Sequence, residues 1–159
     1  MGGEDCMVNV REVPADMFIE ELAKYLEENV KTFRPPAWSS FVKTGSNRER
    51  IPEVRNWWYV RAASILRKLY INERPVGVGA FRRIYGGPEG GSSTPSHFRR
   101  SGSSVTRQIL HQLETAGLVM KVEKRGRVLT PRGRSLLDSI SNKVFNRLTE
   151  ARPEMKKYG

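Results

Sequence analysis

Residues 103–131 read SSVTRQILHQLETAGLVMKVEKRGRVLTP, and this stretch decides the fold. Val105, Ile109, Leu113 and Ala116 recur at the three- and four-residue spacing of one apolar helix face. Ser103 or Ser104 supplies an N-cap hydroxyl, and Gly117 a C-terminal stop. The period then changes. Leu118–Val122 and Arg127–Leu129 read as two strands around Lys124-Arg125-Gly126, a hairpin with glycine in its turn. Thr130-Pro131 opens a last helix carried by Leu136, Leu137, Ile140, Val144 and Leu148.

Working upstream, Gly86 to Gly102 is a loop rich in Gly, Ser and Pro, preceded by a short helix from about Val78 to Tyr85. Trp57 to Tyr70 reads as a longer helix with Asn56 as its N-cap. Phe33 to Asn56, with Pro35, Pro36, Gly45 and Pro52, is an irregular connector anchored in the core by Trp38 and Phe41. Pro14 to Lys31 is the first helix: Pro14 suits N1, and Met17, Phe18, Leu22, Tyr25 and Leu26 form its apolar stripe. Helix, short helix, loop, helix, basic hairpin, helix is the order of a winged helix-turn-helix. The expected fold is therefore mainly α, a helical bundle with a small β-hairpin wing. It forms a single domain over 1–159, with the N-terminal helix and connector in 10–56, the winged-helix core in 57–130, and the last helix and tail in 131–159.

Charge points to the partner. The chain carries a net +11, with a pI near 10.2, which implies a polyanion. Residues 1–42 hold 4 basic and 8 acidic side chains, whereas residues 43–134 hold 19 and 6. The polyanion surface therefore belongs to the middle of the chain, and the first helix is scaffold. Cys6 is the single cysteine, which excludes a disulfide framework or a Cys-rich zinc site and suits a reducing cytoplasm. The acidic start, Met1 to Asp5, is unlike a signal peptide, Gly2 lacks a myristoylation context, and no run of 18 apolar residues could span a membrane.

On a wheel of about 100° per residue, Trp58, Ala62, Ile65, Leu66 and Leu69 form the core stripe of the Trp57 helix. Trp57, Arg61, Ser64, Arg67 and Lys68 gather opposite. Trp57 either stacks on an unpaired base or packs beneath the connector, while Arg61, Arg67 and Lys68 suit phosphates. In the reading helix, Ser104, Arg107, Gln108 and His111 form the outward face. Arg99 and Arg100 precede it, and Lys121, Lys124, Arg125 and Arg127 lie on the hairpin. Arg132 and Arg134 sit at the start of the last helix, where cations oppose the helix dipole and so imply a demand beyond local stability.

Catalytic signals are weak. His97 and His111 stand outside any metal-ligand spacing, and the carboxylates of the first helix form a charged face rather than an isolated pair. Neither Gly77-Val78-Gly79 nor Gly86 to Gly91 leads into a phosphate-loop Lys-Ser/Thr. The expectation is a non-enzyme with no cofactor, no metal and no small-molecule substrate.

Several motifs resemble the nineteen-e family of small-subunit ribosomal proteins. They are Asn56-Trp57-Trp58-Tyr59-Val60-Arg61-Ala62-Ala63-Ser64, Leu69-Tyr70, and Gly77-Val78-Gly79 leading to Ile84-Tyr85-Gly86-Gly87. Pro95-Ser96-His97-Phe98, Ser104-Val105 with Arg107, Leu113-Glu114, Gly126-Arg127 and Leu129-Thr130-Pro131 complete the set. The resemblance runs from about Val10 to Leu148, and Pro35 to Trp38 with Phe41 to Gly45 look archaeal. It implies a winged-helix protein in the head of the small subunit, bound to small-subunit ribosomal RNA and neighbouring proteins and active in subunit maturation. It also implies an RNA surface on the Arg61–Arg67 helix, with Trp57 at its start, and on Arg99 to Arg107. Residues 88–94 are neutral to acidic where many relatives are basic, so that loop is assigned no phosphate contact. The competing reading is a winged-helix transcription regulator that binds duplex DNA and dimerises through its terminal helices. A weaker one is a protein-interaction module.

Overall fold

The computed structural model describes residues 8–41, 56–89 and 95–151. The expectations placed on residues 1–7, including Cys6, on Lys43, Gly45 and Pro52, on 90–94 and on the tail 152–159 lie outside the described residues. Among the described residues five α-helices follow one another: α1 (Ala15–Asn29), α2 (Trp57–Ile71), α3 (Val78–Ile84), α4 (Ser103–Thr115) and α5 (Pro131–Ala151). β1 (Gly87–Glu89) pairs antiparallel with β2 (His97–Arg99) between α3 and α4, and β3 (Val119–Val122) with β4 (Gly126–Leu129) between α4 and α5. This is a helical winged-helix-like fold, as the element order predicts.

The apolar stripes read from the sequence meet in one core. Phe18, Leu22 and Leu26 of α1, Trp58, Ala62, Ile65 and Leu66 of α2, and Phe81 of α3 are buried in it. Val105, Ile109 and Leu113 of α4 and Leu137, Ile140 and Val144 of α5 complete it. Truncating one such side chain to Ala costs about 2–5 kcal/mol. The α5 stripe is covered by α1, and Glu21 of α1 bonds both Lys143 and Arg147 of α5. A regulator's dimer seam on that helix is thereby occupied within the chain.

The helix ends correct the sequence reading in detail. Pro14 precedes α1 as its N-cap, and α1 stops at Asn29. Gly102, not Ser103 or Ser104, holds the N-cap of α4, and neither it nor Asn56 at α2 gives a side-chain cap bond. Thr130 does cap α5: its Oγ accepts from the Gly133 amide at 3.1 Å and donates to the Gly117 carbonyl at 2.8 Å. Gly117, at φ +82°, ends α4 in a Schellman turn, with its amide bonded to Glu114 O and the Leu118 amide to Leu113 O.

Two further expectations change. Phe41 is 81% exposed and anchors nothing in the core; Phe33 is the buried aromatic of this region, tilted against Tyr59. Trp38 remains 38% exposed while its edge meets Trp58. The loop from Gly86 to Gly102 contains the β1–β2 ribbon, which no period-two apolar pattern announced because β2 is exposed along its whole length. In the wing, Val119 faces Leu129 and Val122 faces Gly126. Val76 bridges Arg127 on the other edge of β4. Gly126 has φ +125°, and a Cβ there would lie 2.6 Å from the Val76 carbonyl, so this close approach requires glycine.

Candidate nucleic-acid interface

The polar side of α2 is built around Tyr85, the residue that follows α3. Its hydroxyl donates to Ser64 Oγ at 2.7 Å, and its ring stacks near-parallel on Phe81. The Arg61 guanidinium lies 4.0 Å from the ring centroid and the Lys68 ammonium 5.7 Å. Burial pushes the Tyr85 phenol pKa up, against the hydrogen bond with Ser64 and the charge of Arg61. Burial lowers the Lys68 pKa first, and the positive Arg67 and Arg61 lower it further. Arg67 Nε is buried without a hydrogen-bond partner among the described residues. Three cations are thus crowded onto two turns, and an anion set against them would relieve both their repulsion and the partial desolvation of Lys68.

Trp57 is half-buried and packs edge-on against Trp58, with ring centroids 5.4 Å apart. Trp58 is 1% exposed and donates through Nε1 to Gln112 Oε1 at 3.0 Å; Gln112 Nε2 in turn donates to the Arg34 carbonyl at 2.8 Å. This relay joins the connector, α2 and α4. The contact favours the packing role for Trp57 over the stacking one.

From Tyr85 the surface continues into the ribbon and the start of α4. A Cβ on Gly86 would overlap the Arg99 carbonyl and sit 2.9 Å from Phe98 Cζ, so β2 presses directly on the end of α3. Ser101 and Arg82 exchange two bonds: the Ser101 amide to Arg82 O at 2.9 Å, and Arg82 Nε to Ser101 O at 2.8 Å. Arg99 and Arg100 are exposed just before α4, followed by exposed Ser104, Arg107 and His111 and half-buried Gln108. The outward face of α4 is therefore as predicted. The structure brings Arg61, Arg67, Lys68, Arg99, Arg100, Ser104 and Arg107 onto connected elements.

The remaining predicted residues stand apart from that group. Lys121, Lys124 and Arg125 are exposed on the wing, with Lys124 at φ 61° in its turn. Arg127 turns inward, its Nε bonded to Glu114 of α4, so its charge is matched inside the fold. Arg132 extends over Gly117 at the C-terminal end of α4, and Arg134 lies 4.8 Å from the Tyr70 ring centroid, beside Asp138. Both have local explanations, because the α4 carbonyl end and the Tyr70–Asp138 pair attract cations. The sequence reading missed Tyr85 as the support for Arg61. Its signal was an aromatic directly before Gly86-Gly87, where the backbone must be approached closely.

Among the described residues, no group of His, Cys, Asp and Glu could hold a metal ion, and no helix is long and apolar enough to cross a membrane.

Known proteins are similar to this chain in sequence over most of its length. The family model described as Ribosomal protein S19e matches residues 9–147. The small ribosomal subunit protein eS19 of Aeropyrum pernix is 53% identical, over 96% of this chain and 99% of its own length. The eS19 of Thermoplasma volcanium is 43% identical with the same coverage, and that of the animal Mya arenaria 37% identical over 92% of this chain and 97% of its own. A match spanning both the helical scaffold and the wing, at such identity, establishes that this chain belongs to the ribosomal protein S19e family and is a structural ribosomal protein, not an enzyme.

Proposed function

We propose that this protein binds small-subunit ribosomal RNA in the cytoplasmic ribosome, in the head of the small subunit, and assists maturation of that subunit. The family resemblance supports the placement, and one structural observation carries the binding: the cations divide by pairing. Some are matched: Lys24 by Glu20, Lys143 and Arg147 by Glu21, and Arg127 by Glu114. By contrast Arg67, Lys68, Arg100, Arg107, Lys121, Lys124 and Arg125 form no ion pair among the described residues. Cations left without carboxylates on neighbouring elements, and repeated on a wing, suit a phosphate backbone. Neighbouring small-subunit proteins meet the remaining surface.

The test is binding of the full chain to purified small-subunit ribosomal RNA against random duplex DNA across a salt series. The RNA should be preferred, with affinity falling steeply as salt rises. Arg107→Glu combined with Arg125→Glu changes two exposed, unpaired side chains, so the fold should survive while most affinity disappears. A folded double variant that binds and joins small subunits normally would overturn the surface assignment. Equal affinity for duplex DNA would restore the regulator reading.

A further inference from the structure

We propose that Phe98 is a stacking platform for an unpaired nucleobase of the bound RNA, an inference that rests on the RNA-binding function proposed above. Phe98 is 60% exposed on β2, a strand whose three residues all face solvent. Among the described residues no other aromatic ring contacts it, whereas Trp57 and Trp38 already spend an edge or face on Trp58. Phe98 is therefore the aromatic of this surface with a π-face to offer.

The ring is held firmly despite its exposure. Its tip rests on Gly86, where any Cβ would come within 2.9 Å of Cζ, and its backbone pairs across the ribbon with Pro88. Beyond Arg99, the two bonds between Ser101 and Arg82 fasten the strand to α3. On the other side, Gly86 follows Tyr85, whose ring carries Arg61. A platform fixed this way loses little freedom when a base settles on it.

Charge complementarity selects the occupant. Phe98 is flanked by His97, Arg99 and Arg100, all exposed, and exposed Arg83 lies on the adjoining α3. Aromatics and arginines also occur together at protein contacts, but single-stranded RNA is the partner that places a base on an aromatic face and its phosphates on the cations around it. An exposed aromatic with arginines at neighbouring positions of its strand and on the adjoining helix fits the second arrangement. It also gives the surface a means of telling an unpaired loop from a regular duplex, which phosphate contacts alone do not supply.

The test measures affinity of the full chain for purified small-subunit ribosomal RNA, with melting temperature followed in parallel. Phe98→Ala should weaken binding by roughly 5- to 150-fold, the usual range for one stacked base. The slope of affinity against salt should stay as in the wild type, because no cation is removed. Phe98→Tyr should bind within about twofold of wild type, and Phe98→Leu, which keeps apolar bulk without a π-face, should bind about as weakly as the alanine variant. Wild-type affinity in Phe98→Leu or Phe98→Ala overturns the inference and leaves the RNA-binding function standing. If Phe98→Ala binds RNA normally yet fails to join small subunits, the ring is a protein contact and stacking is again overturned. Absence of salt-dependent RNA binding in the wild type itself would remove the RNA-binding function and this inference with it.

Discussion

The guanidinium of Arg61 lies 4.0 Å from the centroid of the Tyr85 ring, so a cation of one helix is aimed by an aromatic that ends another. Such a contact is worth about 0.5–2 kcal/mol and fixes a flexible side chain. Tyr85→Leu should therefore weaken ribosomal RNA binding although no charge is deleted. Tyr85→Phe keeps the ring and loses only the bond to Ser64, and should cost about 1 kcal/mol of stability with binding retained. Urea denaturation and filter binding separate the two. A leucine variant with lower stability and unchanged affinity would show that Arg61 needs no ring.

Gly133 sits in the first turn of α5, where helix propensity alone says that Ala should stabilise by about 1 kcal/mol. The structure reverses the sign. A Cβ there would overlap the Leu118 carbonyl oxygen and approach Leu129 Cδ2 at 3.3 Å. Gly133→Ala should lower stability by about 1–3 kcal/mol, since α5 must move away from the base of the wing. A raised melting temperature would refute the close packing.

Glu21, buried between Lys143 at 2.7 Å and Arg147 at 2.8 Å, makes the α1–α5 contact acid-sensitive. The hydrogen bond from Lys143 is the largest influence and lowers the Glu21 pKa below its ordinary 4.5; burial opposes it, and the charges of Lys143 and Arg147 lower it further. In the window below about 4.5 the unfolded chain then binds more protons than the folded one. The stabilisation is complete above that pH and is lost as pH falls through the folded pKa. Glu21→Gln should cost about 1–2 kcal/mol at neutral pH, a modest value because both cations are half exposed. The gap between variant and wild type should close in acid, and a gap independent of pH would contradict the ion-pair account.

Trp57 tests packing against stacking directly. Because its ring meets Trp58 edge-on, Trp57→Ala should reduce stability by about 1–2 kcal/mol while ribosomal RNA affinity stays within about twofold. A loss of affinity at unchanged melting temperature would return Trp57 to the RNA surface.

Gln112→Leu should cost about 1–3 kcal/mol, because it orphans the buried Trp58 Nε1 and frees the Arg34 carbonyl, with no effect on RNA binding. Hydrogen exchange at the Trp58 indole would report the lost bond.

Much of this fold is legible in the amino-acid sequence. Periodicity placed the core face of every long helix, because an apolar stripe at helical spacing has only one way to leave water. The glycine-containing turn after Lys124-Arg125 placed the wing, since glycine takes positive φ without strain. The charge partition located the basic segment. The ribbon at Gly87–Glu89 and His97–Arg99 was illegible, because its second strand is exposed throughout and carries no alternation of buried and exposed residues. The exposure of Phe41 was equally hidden, since an aromatic in a proline-rich connector reads as core by composition alone.

By itself, then, the sequence determined the helical winged fold, the order of its helices and wing, the sign of its surface and the family. Only the tertiary structure decided which cations are available. Arg127, adjacent in sequence to the cations of the turn, is matched by Glu114 from another element, while Arg61 is propped on Tyr85 and Arg67 and Lys68 are left with like charges. Local pattern fixes which face of an element leaves water. The partner that a charge meets depends on contacts between residues far apart in the chain.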